Sequence, residues 1–299
     1  MKAAFIRKAI VLILCMLAVG YISIAIQSPH SIETLVSRGY LFLVGVFAAT
    51  IANSTGMGGG VVFLPAFEFI RDTGLAITAA QIIGMSFVIQ SFGMTVGSSR
   101  WLYKAYSNKE PVTGVAEKDF WKIIGWVLLF AAPSLLLTQY ALVFDKDFLL
   151  FLFKGFSIAL GLKLLMATWV NSADNDRRDH LHAVDYQILA IAGITGGIAT
   201  ALFSVGVGEL VALYLFIRNY PLVTCAATAV ILSSLTILIG LPWHLMNTDL
   251  PWDLLTVVIP GAILGGYFAR AFAYWLGNKR LKIFAALWII GSSSFLLFR

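Results

Sequence analysis

Long apolar runs alternate with short polar segments over almost the whole chain. Runs of a length suited to crossing a bilayer occupy residues 9–26, 75–97, 121–140, 148–170, 222–243, 252–275 and 281–298. A membrane-spanning helix needs about 20 apolar residues. Two other runs, 40–55 and 186–203, each lead into a glycine-containing break and a shorter apolar piece. The pattern predicts an all-α polytopic membrane protein in which two helices are broken.

The first break is the most unusual stretch of the sequence. Residues 53–65 read Asn-Ser-Thr-Gly-Met-Gly-Gly-Gly-Val-Val-Phe-Leu-Pro. Irregular backbone survives at membrane depth only where protein or a watery cavity surrounds it. The break also exposes the N-terminus of the next helix, whose free N–H groups and partial positive charge favour an anion. Close helix packing by small residues is the alternative interpretation.

The second break repeats the first. At one fixed offset, Ser54, Gly56 and Gly58 correspond to Ser204, Gly206 and Gly208. At an offset three residues smaller, Ala79, Ala80, Ser86 and Gly93 correspond to Ala226, Ala227, Ser233 and Gly240. We therefore expect two transporter repeats at 40–170 and 186–299, joined by a cytoplasmic linker at 171–185. Residues 1–39 are expected to form an extra membrane helix and an external loop.

The distribution of basic residues predicts the orientation. Lys2, Arg7 and Lys8 precede the first run, and the loop after residue 97 carries Arg100, Lys104, Lys109, Lys118 and Lys122. Basic loops stay in the cytoplasm. The N-terminus is therefore expected inside and the C-terminus outside, with a hairpin at 40–70 entering from the outer side and one at 186–218 from the inner side. Each repeat is then a re-entrant hairpin plus three spans, and the second is inverted, as in many secondary transporters.

Composition excludes several other classes of protein. Hydrophobic residues make up 60% of the 299 residues and charged residues 12%. The net charge of +6 is explained by loop topology rather than by a nucleic-acid partner. The first run is long for a cleaved signal peptide. Cys15 and Cys225 lie in separate apolar runs, and His180 and His182 lie in a polar loop, so we expect neither a metal nor a cofactor.

The motif Gly-x-Gly-Gly-Gly-x-x-x-x-Pro from Gly56 to Pro65, with its echo at Gly206, resembles the TauE/SafE family of sulfite exporters and related permeases. The likeness extends from Tyr40 to the C-terminus. It implies transport of small anions such as sulfur oxyanions, sulfonates or organic acids across the bacterial inner membrane, with protons as a candidate coupling ion. One departure is the second motif, where Glu209 follows Gly208 in place of a glycine triplet and no proline matches Pro65.

The candidate substrate-binding residues are small or polar side chains at the two breaks and on the spans that follow them. They are Asn53, Ser54, Thr55, Gly56, Gly58, Gly59, Gly60, Gln81, Ser86, Gln90, Ser204, Gly206, Gly208, Thr228 and Ser233. The alternatives for these side chains are helix capping and hydrogen bonding between helices.

Glu209 is the candidate proton-coupling residue, because an ionisable group at membrane depth is a functional hypothesis by default. It is expected to carry the coupling proton or to occupy the anion site when substrate is absent. A capped structural carboxylate is the alternative. Glu68 lies near the outer end of the first half-helix, where we expect it to be hydrated.

These observations together predict a secondary transporter that moves a small anion by alternating access, with the lipid bilayer as its surroundings. The anion site is expected between the two hairpin tips, which approach each other near the midplane. An anion channel is the nearest alternative, followed by a membrane-embedded enzyme or an assembly subunit. An enzyme would need an acid, base, nucleophile or metal cluster, whereas His244 stands alone among the apolar spans. The oligomeric state is not defined by the sequence.

Overall fold

A computed structural model of the protein describes residues 2–27, 37–56, 58–72, 77–107, 117–141, 181–218, 220 and 222–297, with isolated positions between 151 and 166. Helices account for most of these residues. They are α1 (Lys2–Gln27), α2 (Tyr40–Thr55), α3 (Gly60–Asp72), α4 (Ala79–Ser107), α5 (Glu117–Ala141), α6 (Ala183–Phe203), α7 (Val207–Ile217), α8 (Leu222–Asn247) and α9 (Trp252–Leu297).

Within this described part, five helices are long and apolar enough to cross a membrane. They cover Ala79–Tyr103, Asp119–Ala141, Ala183–Phe203, Val223–Asn247 and Trp252–Gly277. Shorter apolar helices occur at Val11–Ile26, Tyr40–Thr55 and Val207–Ile217. The prediction of an all-α polytopic membrane protein is therefore confirmed. The predicted span at 148–170 lies outside the described residues, apart from isolated positions.

The predicted helix ends are less accurate than the predicted helices. α4 begins at Ala79 and continues to Ser107, whereas the apolar run suggested residues 75–97. Hydropathy locates the lipid-facing part of a helix, but the helix itself continues through polar residues such as Arg100. The last two predicted spans are the two helices of α9, which are joined at Gly277 with φ 70° and ψ 170°. Glycine adopts this positive φ without the steric cost that a side chain would add.

α2 lies parallel to the first part of α9, and glycines bring the two backbones together. A Cβ atom on Gly261 would collide with the carbonyl oxygen of Phe42, and one on Gly265 would collide with that of Val46. Both residue numbers increase together along the contact, which defines the parallel direction. Small residues permit such close approach where lipid supplies no hydrophobic drive for association.

α5 and α6 form a second parallel pair of the same kind. A Cβ atom on Gly193 would lie 2.8 Å from the carbonyl oxygen of Val127, and one on Gly197 would lie 2.5 Å from that of Ala131. Near the start of α6, the indole Nε1 of Trp126 from α5 donates to the carbonyl of Tyr186 at 2.8 Å.

α4 and α8 cross the centre of the bundle in opposite directions. The hydroxyls of Thr95 and Ser234 are 3.1 Å apart, and Ser98 Oγ donates to the carbonyl of Val230 at 3.2 Å. Here residue numbers rise on one helix as they fall on the other. Both helices are mostly buried, over 72% and 78% of their apolar windows, and the two broken helices pack against them.

Candidate functional site

Both broken helices end in the same backbone conformation. Gly56 follows α2 with φ 78°, and its N–H donates to the carbonyl of Ala52 at 3.1 Å. Ser204 follows α6 with φ 59°, and its N–H donates to the carbonyl of Thr200 at 2.8 Å. The sequence register paired Gly56 with Gly206, but the structural counterpart of Gly56 at the helix end is Ser204. A left-handed residue that returns its N–H to the last turn is a common helix ending.

The two breaks meet at the carboxylate of Glu209. The backbone N–H of Gly58, at the start of α3, donates to Glu209 Oε1. The backbone N–H of Gly206, at the start of α7, donates to Glu209 Oε2 at 2.7 Å. The residue is only 2% exposed. One anionic group is therefore held by main-chain donors from both hairpins, at the N-terminal ends of two helices whose dipoles favour negative charge.

Gln90 of α4 forms a second link between the hairpins. Its Oε1 accepts the N–H of Gly59 at 2.5 Å. Its Nε2 donates to Ser204 Oγ at 2.7 Å, to the Ser204 carbonyl at 3.1 Å and to Ser86 Oγ at 2.9 Å. The side chain is buried, with 1% exposure, so these bonds are shielded from water.

The glycines of the breaks are required by close approach. A Cβ atom on Gly60 would lie 2.6 Å from the carbonyl oxygen of Phe203 and 2.8 Å from that of Ser204. A Cβ atom on Gly208 would lie 2.9 Å from the carbonyl oxygens of both Ala229 and Gly56. Any side chain at either position would separate the hairpins.

Three predicted site residues at the end of α2 mostly bond to their own helix. Ser54 Oγ and Thr55 Oγ1 donate to the carbonyl of Ile51 at 2.9 and 2.8 Å. Asn53 Nδ2 donates to the carbonyl of Ala49 at 2.8 Å, whereas Asn53 Oδ1 is buried and has no hydrogen-bond partner among the described residues. Asn53, Gly59 and Gln90 line one crevice, together with Ala49, Ala52, Phe63, Ile89, Gly93 and Met94. Asn53 thus has a buried acceptor that no described group satisfies, and this oxygen lies against Gly97 of α4.

Of the predicted residues on the two central helices, Ser233 lies beside the second break, whereas Gln81 lies away from both breaks. Ser233 of α8 lies against Gly208 at the start of α7, and the hydroxyls of Ser233 and Thr228 are buried without a partner in the described part of the chain. Gln81 lies at the beginning of α4 instead, where its Nε2 donates to the carbonyl of Asp249 at 2.7 Å. The structure therefore does not bring Gln81 together with the other candidates.

Sequence reasoning missed Thr200, whose Oγ1 accepts the N–H of Val207 at 3.3 Å. Thr200 lies one helical turn before Ser204, and a polar residue at this spacing on an apolar helix would have indicated it from the sequence. Glu68 was expected to be hydrated, and this is wrong. It is 6% exposed and pairs with Arg71 at 2.5 Å, because the half-helix is packed inside the bundle.

The base of the second hairpin is closed by another buried carboxylate. Asp185, at the start of α6, accepts from Tyr214 Oη and from Arg218 Nε and Nη2, the last two at 3.1 and 2.9 Å. The two donors lie in and just after α7, so the ion pair joins both arms of the hairpin. Asp185 belongs to the acidic stretch around His180 and His182, of which residues 167–180 lie outside the described residues. The described residues hold no metal-like cluster of His, Cys, Asp or Glu.

Two broken helices that meet inside a polytopic bundle are typical of membrane transporters. Sequence comparison agrees, since the profile of the family "Sulfite exporter TauE/SafE" matches residues 41–296. The chain belongs to this family, as the glycine motif indicated. It is also 23% identical over 268 residues to the "Probable membrane transporter protein YunE" of Bacillus subtilis (strain 168), covering 84% of this chain and 93% of that protein. No solved structure matches the chain.

Proposed function

We propose that the protein is a secondary transporter that moves a small anion across the inner membrane by alternating access, with the anion bound where the two hairpins meet. The substrate class is a sulfur oxyanion, a sulfonate or an organic acid. The observation that carries the proposal is the Glu209 carboxylate, an anionic group that accepts main-chain N–H bonds from Gly58 and Gly206.

The donors around Glu209 suit the proposed substrates. A carboxylate presents two oxygens in a plane. Organic acids present the same group, and sulfonates and sulfite present two of their three oxygens in a similar way. Backbone N–H groups at helix N-termini bind such groups without a cationic side chain. An entering anion would replace the Glu209 carboxylate at Gly58 and Gly206. In this proposal, Glu209 is a tethered occupant of the anion site.

The helix directions support inverted repeats at 40–170 and 186–299. α2 runs parallel to the beginning of α9, α6 runs parallel to α5, and α4 opposes its counterpart α8. In this arrangement, α2 of the first repeat packs against α9 of the second, and α6 of the second repeat packs against α5 of the first. With the basic loops inside, this proposal puts the N-terminus in the cytoplasm and the C-terminus outside.

Proton coupling follows from the same carboxylate. A protonated Glu209 holds the two N–H groups less strongly than an anionic one, because charge-assisted hydrogen bonds are about twice as strong as neutral ones. Protonation would therefore release the donors to the substrate. We propose that Glu209 takes up a proton as the anion binds.

The test is flux in proteoliposomes, with sulfite, methanesulfonate and acetate as probes. In Glu209→Gln the amide oxygen replaces one acceptor, but its NH₂ group faces the second N–H donor. We expect loss of flux driven by a pH gradient, while exchange between equal anion pools continues. Asp249→Asn, at an exposed position of the α8–α9 turn, is the matched acid-to-amide control. Unchanged gradient-driven flux in Glu209→Gln would reject the coupling role, and absence of wild-type flux for all three anions would reject the substrate class.

A further inference from the structure

Two arginines lie together where the last two turns of α4 pack against the first part of α9. Arg270 Nη1 donates to the backbone carbonyl of Arg100 at 2.9 Å. The guanidinium carbon of Arg100 lies 4.2 Å from the centre of the Tyr267 ring. Because Tyr267 precedes Arg270 by one helical turn, both guanidinium groups belong to the same surface patch, which we call the arginine pair.

The arginine pair has no acidic partner among the described residues. The ion pairs found there involve Arg38, Arg71, Lys122 and Arg218 instead. Among the described residues, the ionisable side chains near Arg270 are Arg100 and the tyrosines Tyr274, Tyr267 and Tyr103. Arg100 Nε is also buried and has no hydrogen-bond partner in the described part of the chain. Two adjacent cations repel each other, and an uncompensated N–H donor adds to that cost.

The surroundings of the arginine pair are aromatic and exposed. Tyr103, Tyr267 and Tyr274 are 59%, 47% and 49% exposed, and Trp275 is 76% exposed. Tyrosine and tryptophan at this density are typical of the bilayer interface, where their rings lie at headgroup depth. The α4 end belongs to the basic loop that the proposed topology assigns to the cytoplasm.

We propose that Arg100 and Arg270 form a binding site for a tetrahedral oxyanion, the phosphate of an anionic lipid in the inner leaflet. Two guanidinium groups neutralise a phosphate and can donate paired hydrogen bonds to its oxygens. The tyrosine hydroxyls supply further donors at the same depth. Basic pockets between membrane helices on the cytoplasmic side bind anionic headgroups in this way. A free oxyanion offers the same tetrahedral chemistry, so the test must separate the two sources.

The experiment compares thermal unfolding of the whole purified protein with phosphatidylglycerol, phosphatidylcholine or inorganic phosphate added. We expect phosphatidylglycerol to raise the melting temperature of the wild type, and phosphatidylcholine to have no such effect. Arg100→Gln combined with Arg270→Gln should weaken the apparent affinity for phosphatidylglycerol by about tenfold per arginine. Lys279→Gln removes an exposed cation from α9 and should leave the response unchanged.

Each outcome decides the proposal. Stabilisation by phosphatidylglycerol alone identifies a lipid site, whereas equal stabilisation by inorganic phosphate identifies a free-oxyanion site. If the double variant responds to phosphatidylglycerol as the wild type does, or if Lys279→Gln loses the response equally, the site is rejected. Arg100→Gln alone keeps the bond from Arg270 to the backbone carbonyl of residue 100. Its response to phosphatidylglycerol therefore tests the site even if the double variant does not fold.

Discussion

At the scale of single residues, one amide of α4 connects both hairpins. Gln90 accepts from Gly59 N–H and donates to Ser204 and Ser86. Side-chain bonds of this kind hold broken helices in place inside a bilayer, because the freed backbone groups must find partners within the protein.

Gln90→Leu should therefore impair both stability and transport. The substitution keeps the approximate volume but leaves the N–H of Gly59 and the Ser204 groups without this partner, at a cost of about 1 to 3 kcal/mol for each buried unsatisfied group. We expect a lower melting temperature and a reduced rate of anion uptake. Gln81→Leu, on the same helix but outside the site, should retain uptake. Wild-type melting and uptake in Gln90→Leu would show that the link between the hairpins is dispensable.

Residue chemistry predicted part of the site. Glu209, Gln90, Ser86 and Ser204 stood out because polar groups are costly in apolar segments, and the structure brings all four to the meeting point of the hairpins. For Ser54 and Thr55, hydrogen bonding within their own helix fits the structure better than a substrate-binding role, because both hydroxyls donate to the carbonyl of Ile51. The contact between Asp185 and Arg218 could not be predicted, because it depends on how tightly the hairpin closes.

At the scale of elements, glycine contacts determine which helices pair. The glycines at 45, 261 and 265 join α2 to α9, and those at 193 and 197 join α5 to α6. Sequence alone located both broken helices and their polar breaks. It did not indicate that α2 would pack against α9 or α6 against α5, because glycines that permit close contact do not specify a partner.

Gly261→Leu should destabilise the pairing of α2 with α9. A Cβ atom there would collide with the Phe42 carbonyl and approach its carbon atom at 3.0 Å, and overpacking of this kind costs about 1 to 3 kcal/mol or more. Gly125→Leu is the matched control, since a Cβ atom at Gly125 meets nothing within 4 Å. Thermal unfolding in detergent should show a lower melting temperature for Gly261→Leu only. Equal melting temperatures of the two variants would mean that α2 and α9 can move apart without loss of stability.

At the scale of the whole molecule, the alternation of apolar runs was sufficient to predict the class of protein, and the basic loops suggested its orientation. The approach of the two hairpin tips was expected from the sequence, but the groups that meet there depend on distances between residues 58 and 206 that periodicity does not encode. The departure from the glycine triplet was visible in the sequence, but the hydrogen bond that Glu209 makes to the first hairpin was not. The carboxylate that replaces a glycine bonds to the opposite hairpin as well as to its own.

Topology can be tested with single cysteines at His182, Asn247 and Lys279, all exposed in the structure, after Cys15 and Cys225 are replaced. A membrane-impermeant maleimide applied to intact cells should label the cysteine at 247, whereas those at 182 and 279 should require permeabilised cells. The expectation follows from the charge distribution and the helix directions. Labelling of 182 and 247 from the same side would contradict the inverted arrangement.

The central claim is that the anion crosses where the hairpins meet, and Gly59 tests it most directly. A Cβ atom at this position would lie 2.7 Å from Gln90 Cγ and 2.8 Å from the Phe63 ring, so a leucine would fill the meeting point. The measurement is gradient-driven anion flux through equal amounts of inserted Gly59→Leu and Gly125→Leu protein in proteoliposomes. We predict wild-type flux for Gly125→Leu and a loss of about 100-fold for Gly59→Leu, comparable to misplacing a functional group by 1 Å. Equal flux through the two variants would contradict the account.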